Sequence, residues 1–523
     1  MRCAWIVSFL CSIGSLLSVQ AQVSIRSKIQ ADFTDSISRF ELQQSFDFAV
    51  MDSIYRINDY NPIFHRGLRT AYFAYLQECS LLGFELADYN YKDLVALHNE
   101  RSIEANVRFD YQMVKSYLKL LDDIKNGLLK SELTRGQDIH FSLEPIDAFA
   151  ELEGLLNSST ISQLKMAEPR CESYRAGKEL LLAIQEKSGE FGTDLIWADS
   201  LRLGDRDSLV ISLKKRLWVL GDFANIQKSR SLIFDKDLEV AIKRFQERHL
   251  LPVTGILDNQ TTVLLNKPME DVINELQLNL ERWRWLPNHL GAYYTFVNIP
   301  AFEMDFVQND SLLLRQNVVC GKVSRSTPSF NSTMAYLVIN PTWTIPPTIL
   351  KNDVLPAFKK NSNYLLNKNI KVYDVGLGRY IEVEEMNREN LNQYRYVQSP
   401  GLTNSLGVIK FVFSNEYYIF MHDTPHKELF NHSSRAYSSG CIRLAQPREF
   451  AALLLLCNSE VMNIAKIDSV VSLQQTTTVS LKQKPSVYIH YLTQDYKNGM
   501  WYTYPDVYGY NNRQLAALRS QKQ

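Results

Sequence analysis

The chain has 523 residues, of which 45% are hydrophobic and 22% charged, enough for roughly three domains of about 150 residues, each with its own core. Its 57 Lys and Arg balance its 57 Asp and Glu, so composition carries no electrostatic footprint for nucleic acid or for an anionic membrane. Aromatic residues make up 11% of the chain, with 27 tyrosines, which suits a peptide- or sugar-binding surface without assigning one.

In chain order, the first element is an expected leader. Arg2 precedes an apolar run from Cys3 to Val19, and Val19-Gln20-Ala21 follows as a small-residue cleavage site. This predicts a signal peptide over 1–21, cut at Ala21/Gln22, and an exported mature chain. Leu10 precedes Cys11, which does not fit a lipoprotein site. No later run approaches ~18 consecutive apolar residues, so no stable membrane span is expected. Removing Cys3 and Cys11 leaves Cys79, Cys171, Cys320, Cys441 and Cys457, an odd set for an oxidising compartment. At least one of these thiols is left unpaired within the chain.

Residues 22–204 read as a helical domain. Phe73, Leu76, Leu81 and Leu82, then Val114, Tyr117, Leu118, Leu121 and Leu128, recur near helical spacing. Asp59-Tyr60-Asn61-Pro62 and Glu144-Pro145 break the pattern. His65, His98 and His140 lie far apart and read as structural or surface residues. Residues 205–268 form a small three-helix unit. Leu213 and Leu217 open it, Gly221-Asp222 turn it, and a helix from Asp237 ends at Phe245-Gln246-Glu247-Arg248-His249. Gly255 fits a turn and Asp258 a helix cap. The pattern Phe245, Gln246, Leu251, Gly255, Asp258, Thr261 resembles the peptidoglycan-binding domain of cell-wall enzymes.

From 269 to 510 strands dominate. Ala292–Ile299, Phe302–Val307 and Leu312–Val319 are rich in β-branched and aromatic residues, with Asn309-Asp310 as a hairpin turn. Val408–Phe413 and Tyr417–Met421 are expected to pair around Ser414-Asn415-Glu416. Val487–Thr493 and Met500–Tyr504 flank Lys497-Asn498-Gly499, a second hairpin signal. A polar, aromatic stretch at 351–401, with Tyr364, Tyr373, Tyr380, Tyr394 and Tyr396, interrupts these strands. Residues 511–523 are left as a tail. The fold class is multidomain α+β.

The chemistry concentrates in His422-Asp423-Thr424 and Ser438-Ser439-Gly440-Cys441-Ile442-Arg443. A thiol in a Ser/Gly turn lies beside backbone N–H groups able to hold an oxyanion, and an imidazole within reach takes the thiol proton. Gly440 and Cys441 are the candidate backbone donors, while Arg443 holds either the loop or a substrate carboxylate. A zinc site drawn from His422, His426, His432 and Cys441 is the competing reading. Pro425 keeps His422 and His426 off a common helical face. No metal or other cofactor is expected.

With Gly321-Lys322, Thr327-Pro328, Asn340-Pro341-x-Trp343-x-x-Pro346-Pro347 and Asn404-Ser405-Leu406-Gly407 added, the stretch resembles the L,D-transpeptidases of the YkuD family, in particular their large YcbB-like periplasmic subgroup. The resemblance implies a helical scaffold domain, a wall-binding module and a mainly β catalytic domain whose 351–401 insertion is a lid. It implies Cys441 as nucleophile and His422 as proton acceptor and donor, with Ser438, Ser439, Gly440 and Arg443 in support. Trp343, Asn340, Asn404, Gly407 and Tyr418 are expected to line the substrate groove. The second histidine that some relatives carry before the glycine is here Ser439. The implied reaction joins peptidoglycan tetrapeptide stems, donor and acceptor, into 3→3 cross-links in the periplasm, with other cell-wall enzymes as further partners. Hydrolysis of the same bond by an L,D-carboxypeptidase, and an inactive wall-anchoring scaffold, are the alternatives.

Overall fold

Ser102 caps the longest helix among the described residues, Ile103–Asn126, by accepting the Ala105 N–H at 3.1 Å, and Gly127 at φ +76° ends it. The computed structural model describes residues 19–34, 48–191, 200–224, 230–458 and 462–520. The expected leader at 1–21 lies outside them apart from its last three residues. Val107, Met113, Val114, Tyr117, Leu120, Leu121 and Ile124 are buried on this helix, which packs against helices Val19–Thr34, Tyr91–Asn99 and Ser162–Ala167. Asp59 and Tyr60 adopt positive φ at the predicted break. No helix among the described residues is long and apolar enough to cross a membrane.

The small unit packs helices Leu209–Val219, Lys236–Arg248 and Asn259–Leu265 around Leu213, Leu217, Phe245 and Leu265. Buried Gln246 accepts the Gly255 N–H and donates to Ile256 O and Thr261 Oγ1, while Asp258 caps the last helix through the Thr261 N–H. The motif residues Gln246, Gly255, Asp258 and Thr261 are thus consumed in building the fold, as buried amides must be paired.

Among the described residues seventeen strands are numbered in chain order. Strand β1 (Ile139–His140) leaves the helical region; β2 (Tyr293–Asn298), β3 (Glu303–Gln308), β4 (Ser311–Gly321) and β5 (Ser329–Ile339) follow helix Met269–Trp283. Then come β6 (Trp343–Thr344), β7 (Ile370–Asp374), β8 (Arg379–Ile381), β9 (Tyr394–Gln398), β10 (Ile409–Phe413) and β11 (Met421–His422). Last are β12 (Ala436–Ser438), β13 (Ile442–Leu444), β14 (Thr477–Ser480), β15 (Ser486–His490), β16 (Gln494–Lys497) and β17 (Met500–Thr503). The main sheet has the order β1-β5-β10-β11-β13-β4-β3-β2-β15, with β12 on β4 and β14 on β5. Because β15 pairs with β2 and also with β5, the sheet closes on itself. Its core holds Phe306, Val318, Leu337, Phe411, Met421, Ile442 and Ile489, sealed by helix Pro447–Cys457 through Phe450 and Leu454. β6 to β9 form a separate four-stranded sheet with its own core of Ile345, Phe358, Leu365, Val372 and Tyr396.

Two strand expectations change. Tyr417–Phe420 is not a strand, because Asn415 closes the segment by donating to Phe413 O and Ile419 O and accepting the Ile419 N–H. Val487–Thr493 is not one strand either. Ser486–His490 enters the main sheet, and Gln494–Lys497 makes the hairpin with Met500–Thr503.

Candidate active site

β10, β11 and β13 lie side by side and carry one cross-sheet row. Lys410 on β10 is registered with His422 on β11, and His422 with Arg443 on β13. Neighbouring Phe411, Met421 and Ile442 fill the core, so strand alternation sends Lys410, His422 and Arg443 to the opposite face. Cys441 is two residues before Arg443, which carries it to that same face as a diagonal neighbour of His422. The thiol donates to Tyr418 O at 3.9 Å, a carbonyl presented by Tyr418 at φ +57°.

His422 is buried, and its Nδ1–H donates to its neighbour's carbonyl, Asp423 O, at 2.5 Å. That bond leaves Nε2 as the basic nitrogen. The Asp423 carboxylate faces elsewhere: it accepts the Val408 N–H at 2.9 Å and Lys427 Nζ at 2.7 Å. Burial, with Arg443 and then Lys410 adding repulsion, pushes the imidazole down to about 3. Burial pushes the Cys441 thiol up to about 11, against the Phe420 N–H, Lys410 and Arg443. Both shifts favour neutral forms, so at neutral pH the site holds a thiol and a free base rather than a preformed ion pair.

The turn carrying the thiol is cross-braced. Ser438 Oγ accepts the Gly440 N–H at 3.1 Å and donates to Cys441 O at 2.6 Å. Gly440 is therefore not free as an oxyanion donor, a correction to its expected role, because the serine hydroxyl takes its N–H. Gly440 stands at φ +114°, a conformation that disfavours a side chain. Thr327 Oγ1 donates to Gly440 O at 2.7 Å and accepts the Gly321 N–H at 2.8 Å. Tyr508, which composition does not mark, receives the Thr327 N–H and donates to Gly321 O.

The expected groove residues divide. Asn340 is buried and donates to Val470 O and Val471 O, and Asn404 is buried, donating to Pro341 O and Ser399 O. Both therefore tie loops together through their side-chain amides. Gly407, at φ +62°, is buried against Asp423, where a Cβ would come within 2.4 Å of the carboxylate carbon. Trp343 is half-buried against the β6–β9 unit. Tyr418 is exposed at the mouth. Ser439 is exposed and accepts Arg325 Nη1 at 2.8 Å, and the same nitrogen meets Asp353 of the insertion at 2.6 Å. Sequence reading missed Lys410 and Arg325, whose signal is positional: both lie in segments bordering the motifs.

His426 is exposed beside Glu428, and exposed His432 stands edge-on to Tyr437. Among the described residues no three His, Cys, Asp or Glu side chains gather as a metal site, and Cys79, Cys171, Cys320, Cys441 and Cys457 are all unbridged.

Comparison with known proteins matches residues 292–479 to YkuD, the L,D-transpeptidase catalytic domain, residues 49–181 to a scaffold domain, and residues 206–265 to a "Putative peptidoglycan binding domain". A "Putative L,D-transpeptidase" of Haemophilus influenzae is 30% identical over 247 residues, which are 46% of this chain and 49% of that protein. The match thus spans about half the length of that relative. The L,D-transpeptidase (Yku) of Stackebrandtia nassauensis is 12% identical with a TM-score of 0.21, covering 57% of this chain and 100% of that one. That of Xylanimonas cellulosilytica, residues 123–326, is 10% identical with a TM-score of 0.19, again over 57% and 100%. The chain thus carries a YkuD-type L,D-transpeptidase catalytic domain over residues 292–479, preceded by a scaffold domain and a peptidoglycan-binding domain.

Proposed function

We propose that the protein is an exported, periplasmic L,D-transpeptidase that joins peptidoglycan stems through a Cys441 thioester. The observation that carries this reading is the neutral pair on one sheet face, a thiol at Cys441 and a free Nε2 at His422. Nε2 takes the thiol proton as Sγ attacks the carbonyl carbon of stem residue three, a diamino acid. The S–C bond forms, the C–N bond to D-alanine four breaks, and the imidazolium returns the proton to the leaving amine. A side-chain amine from a second stem then displaces the thiolate, losing its proton through His422, and a 3→3 amide results. The Cys441 N–H is the oxyanion donor, since Ser438 occupies that of Gly440. The unit built on β6–β9 acts as a lid, which favours amines over water as acceptor.

Purified disaccharide-tetrapeptide, incubated with the protein and read by mass spectrometry, tests this. The expected product is a cross-linked dimer short of one D-alanine, and it disappears in Cys441→Ala. Tripeptide without dimer means a carboxypeptidase. Turnover that survives Cys441→Ala refutes the mechanism.

A further inference from the structure

Many of the cations that leave solvent take a carboxylate, and others, such as Arg282 and Arg135, are held by amide, hydroxyl or backbone oxygens. Arg248 pairs with Asp222, Arg284 with Glu281, Lys497 with Glu303, and Arg315 with Asp305. Beside the site itself, Lys427 takes Asp423 and Arg325 takes Asp353. Lys410 and Arg443, beside Cys441, take no carboxylate. Lys410 Nζ sits 3.8 Å from the Phe420 ring centroid, and Arg443 Nε is buried without a hydrogen-bond partner. Among the described residues neither forms an ion pair. They flank His422 on adjacent strands, on the face that bears Cys441. A half-buried cation held over an aromatic ring, as Lys410 is, keeps its charge at modest cost, and with Arg443 beside it the surroundings of Cys441 are positive.

The geometry points to Lys410, assisted by Arg443, as the seat for the terminal carboxylate of the acyl donor, which makes the enzyme select a peptide bond one residue from a free C-terminus. This rests on the acyl-transfer reading above. In such a donor the carboxylate carbon lies three bonds from the carbonyl carbon under attack. Anchored to the Lys410 ammonium, such a donor brings its scissile carbonyl toward the sheet face that bears Cys441. An internal peptide bond offers no anion at that distance, and a stem one residue longer places its anion too far along. The same pair of cations adds to burial in holding His422 unprotonated, so that one feature serves both substrate choice and the base.

Two readouts on the full-length protein test the seat. The first is kcat/KM for a tetrapeptide donor ending in a carboxylate against the same donor ending in a carboxamide. The wild type is expected to prefer the carboxylate by about tenfold or more, the usual weight of a hydrogen bond to a charged group. The preference is expected to collapse in Lys410→Gln and Lys410→Met, mainly through KM, and to return in Lys410→Arg. The second is alkylation of Cys441 by anionic iodoacetate relative to neutral iodoacetamide. Both reagents meet the same thiolate fraction, so their ratio reads local charge alone. It should fall about fivefold or more in Lys410→Gln and recover in Lys410→Arg. Folding of each variant is checked by circular dichroism and Tm. An unchanged ratio in folded Lys410→Gln and Lys410→Met overturns the seat, as does a carboxylate preference those variants retain. A wild type that turns over neither donor refutes the transpeptidase reading instead, and the alkylation ratio still decides the seat.

Discussion

A thiol and an imidazole that are both neutral behave differently from an ion pair, and pH separates the two. With the Cys441 thiol pushed up to about 11, its thiolate fraction climbs about tenfold per pH unit throughout the neutral range. Alkylation by iodoacetamide, followed on the Cys441 peptide by mass spectrometry, is expected to rise with that slope from pH 6 to 9 without levelling. An ion pair would instead give a plateau beginning at acid pH, and such a plateau would refute the neutral-pair assignment. With His422 pushed down to about 3, the base is present down to mildly acid conditions, so kcat/KM should show no inflection between pH 5 and 7. The sequence marks Cys441 and His422 as candidates because a thiol and an imidazole announce their chemistry by residue type. The role of Gly440 was misjudged because Ser438 captures its N–H, a bond set by a turn rather than by composition. Asn340 and Asn404 show the same ambiguity, since an amide in a motif reads alike whether it faces substrate or pins a loop, and here both amides bond to loop carbonyls.

At the scale of elements, Arg325 follows β4 and joins the nucleophile turn to the insertion, through Ser439 at 2.8 Å and Asp353 at 2.6 Å. Asp353 lies in the helical stretch that leads from β6 to β7. If the insertion covers the acyl-enzyme, loosening this link admits water. Asp353→Asn and Arg325→Ala are expected to lower the ratio of dimer to tripeptide about two- to fivefold, the modest weight of a partly exposed ion pair. Total donor consumption in Asp353→Asn should stay near that of the wild type. An unchanged ratio in both variants argues that the insertion does not gate water. Elements were legible where turn chemistry is local. Asn309 and Asp310, at φ +47° and +60°, make the β3–β4 hairpin as their residue types require. Where pairing is long-range the pattern gave less. Nothing between Val487 and Thr493 announces that Ser486–His490 joins β2 and β5, more than a hundred residues earlier, while Gln494–Lys497 turns to its own hairpin.

The whole molecule is held at a seam between the helical region and the catalytic sheet. Strand β1 leaves the helices and runs parallel to β5, Asp138 receives Ser326 Oγ and Tyr510 OH, and His140 stacks on Tyr417 at 4.5 Å. Ser326 directly precedes Thr327, which braces Gly440, so the helical region bears on the nucleophile turn through two residues. Sequence reading took His140 as a structural or surface residue without naming its partner, because only the fold brings residue 140 to residue 417. His490, at the end of β15, is buried in this seam between Phe141 at 4.9 Å and Phe296 at 6.1 Å, and its Nδ1 accepts the Tyr491 N–H at 3.0 Å. Burial pushes this imidazole down to about 3, with Arg282 and Arg135 adding repulsion. The folded state therefore refuses a proton that the unfolded chain accepts near pH 6.5, so stability is full above that pH and is lost as pH falls toward 3. His422 acts in the same direction. Each histidine removes up to about 1.4 kcal/mol per pH unit inside that window, or about 2 kcal/mol between pH 6.5 and 5. Tm is expected to drop steeply from pH 7 to 5. His490→Gln, whose side-chain oxygen can still accept an N–H, should be less stable at pH 7.5 yet lose less on acidification. Equal acid slopes for the wild type and His490→Gln would show that the seam is not where acid acts. Hydrogen exchange at pH 5 gives the location, with the first loss of protection expected at β1 and β15, and with it the brace behind Cys441.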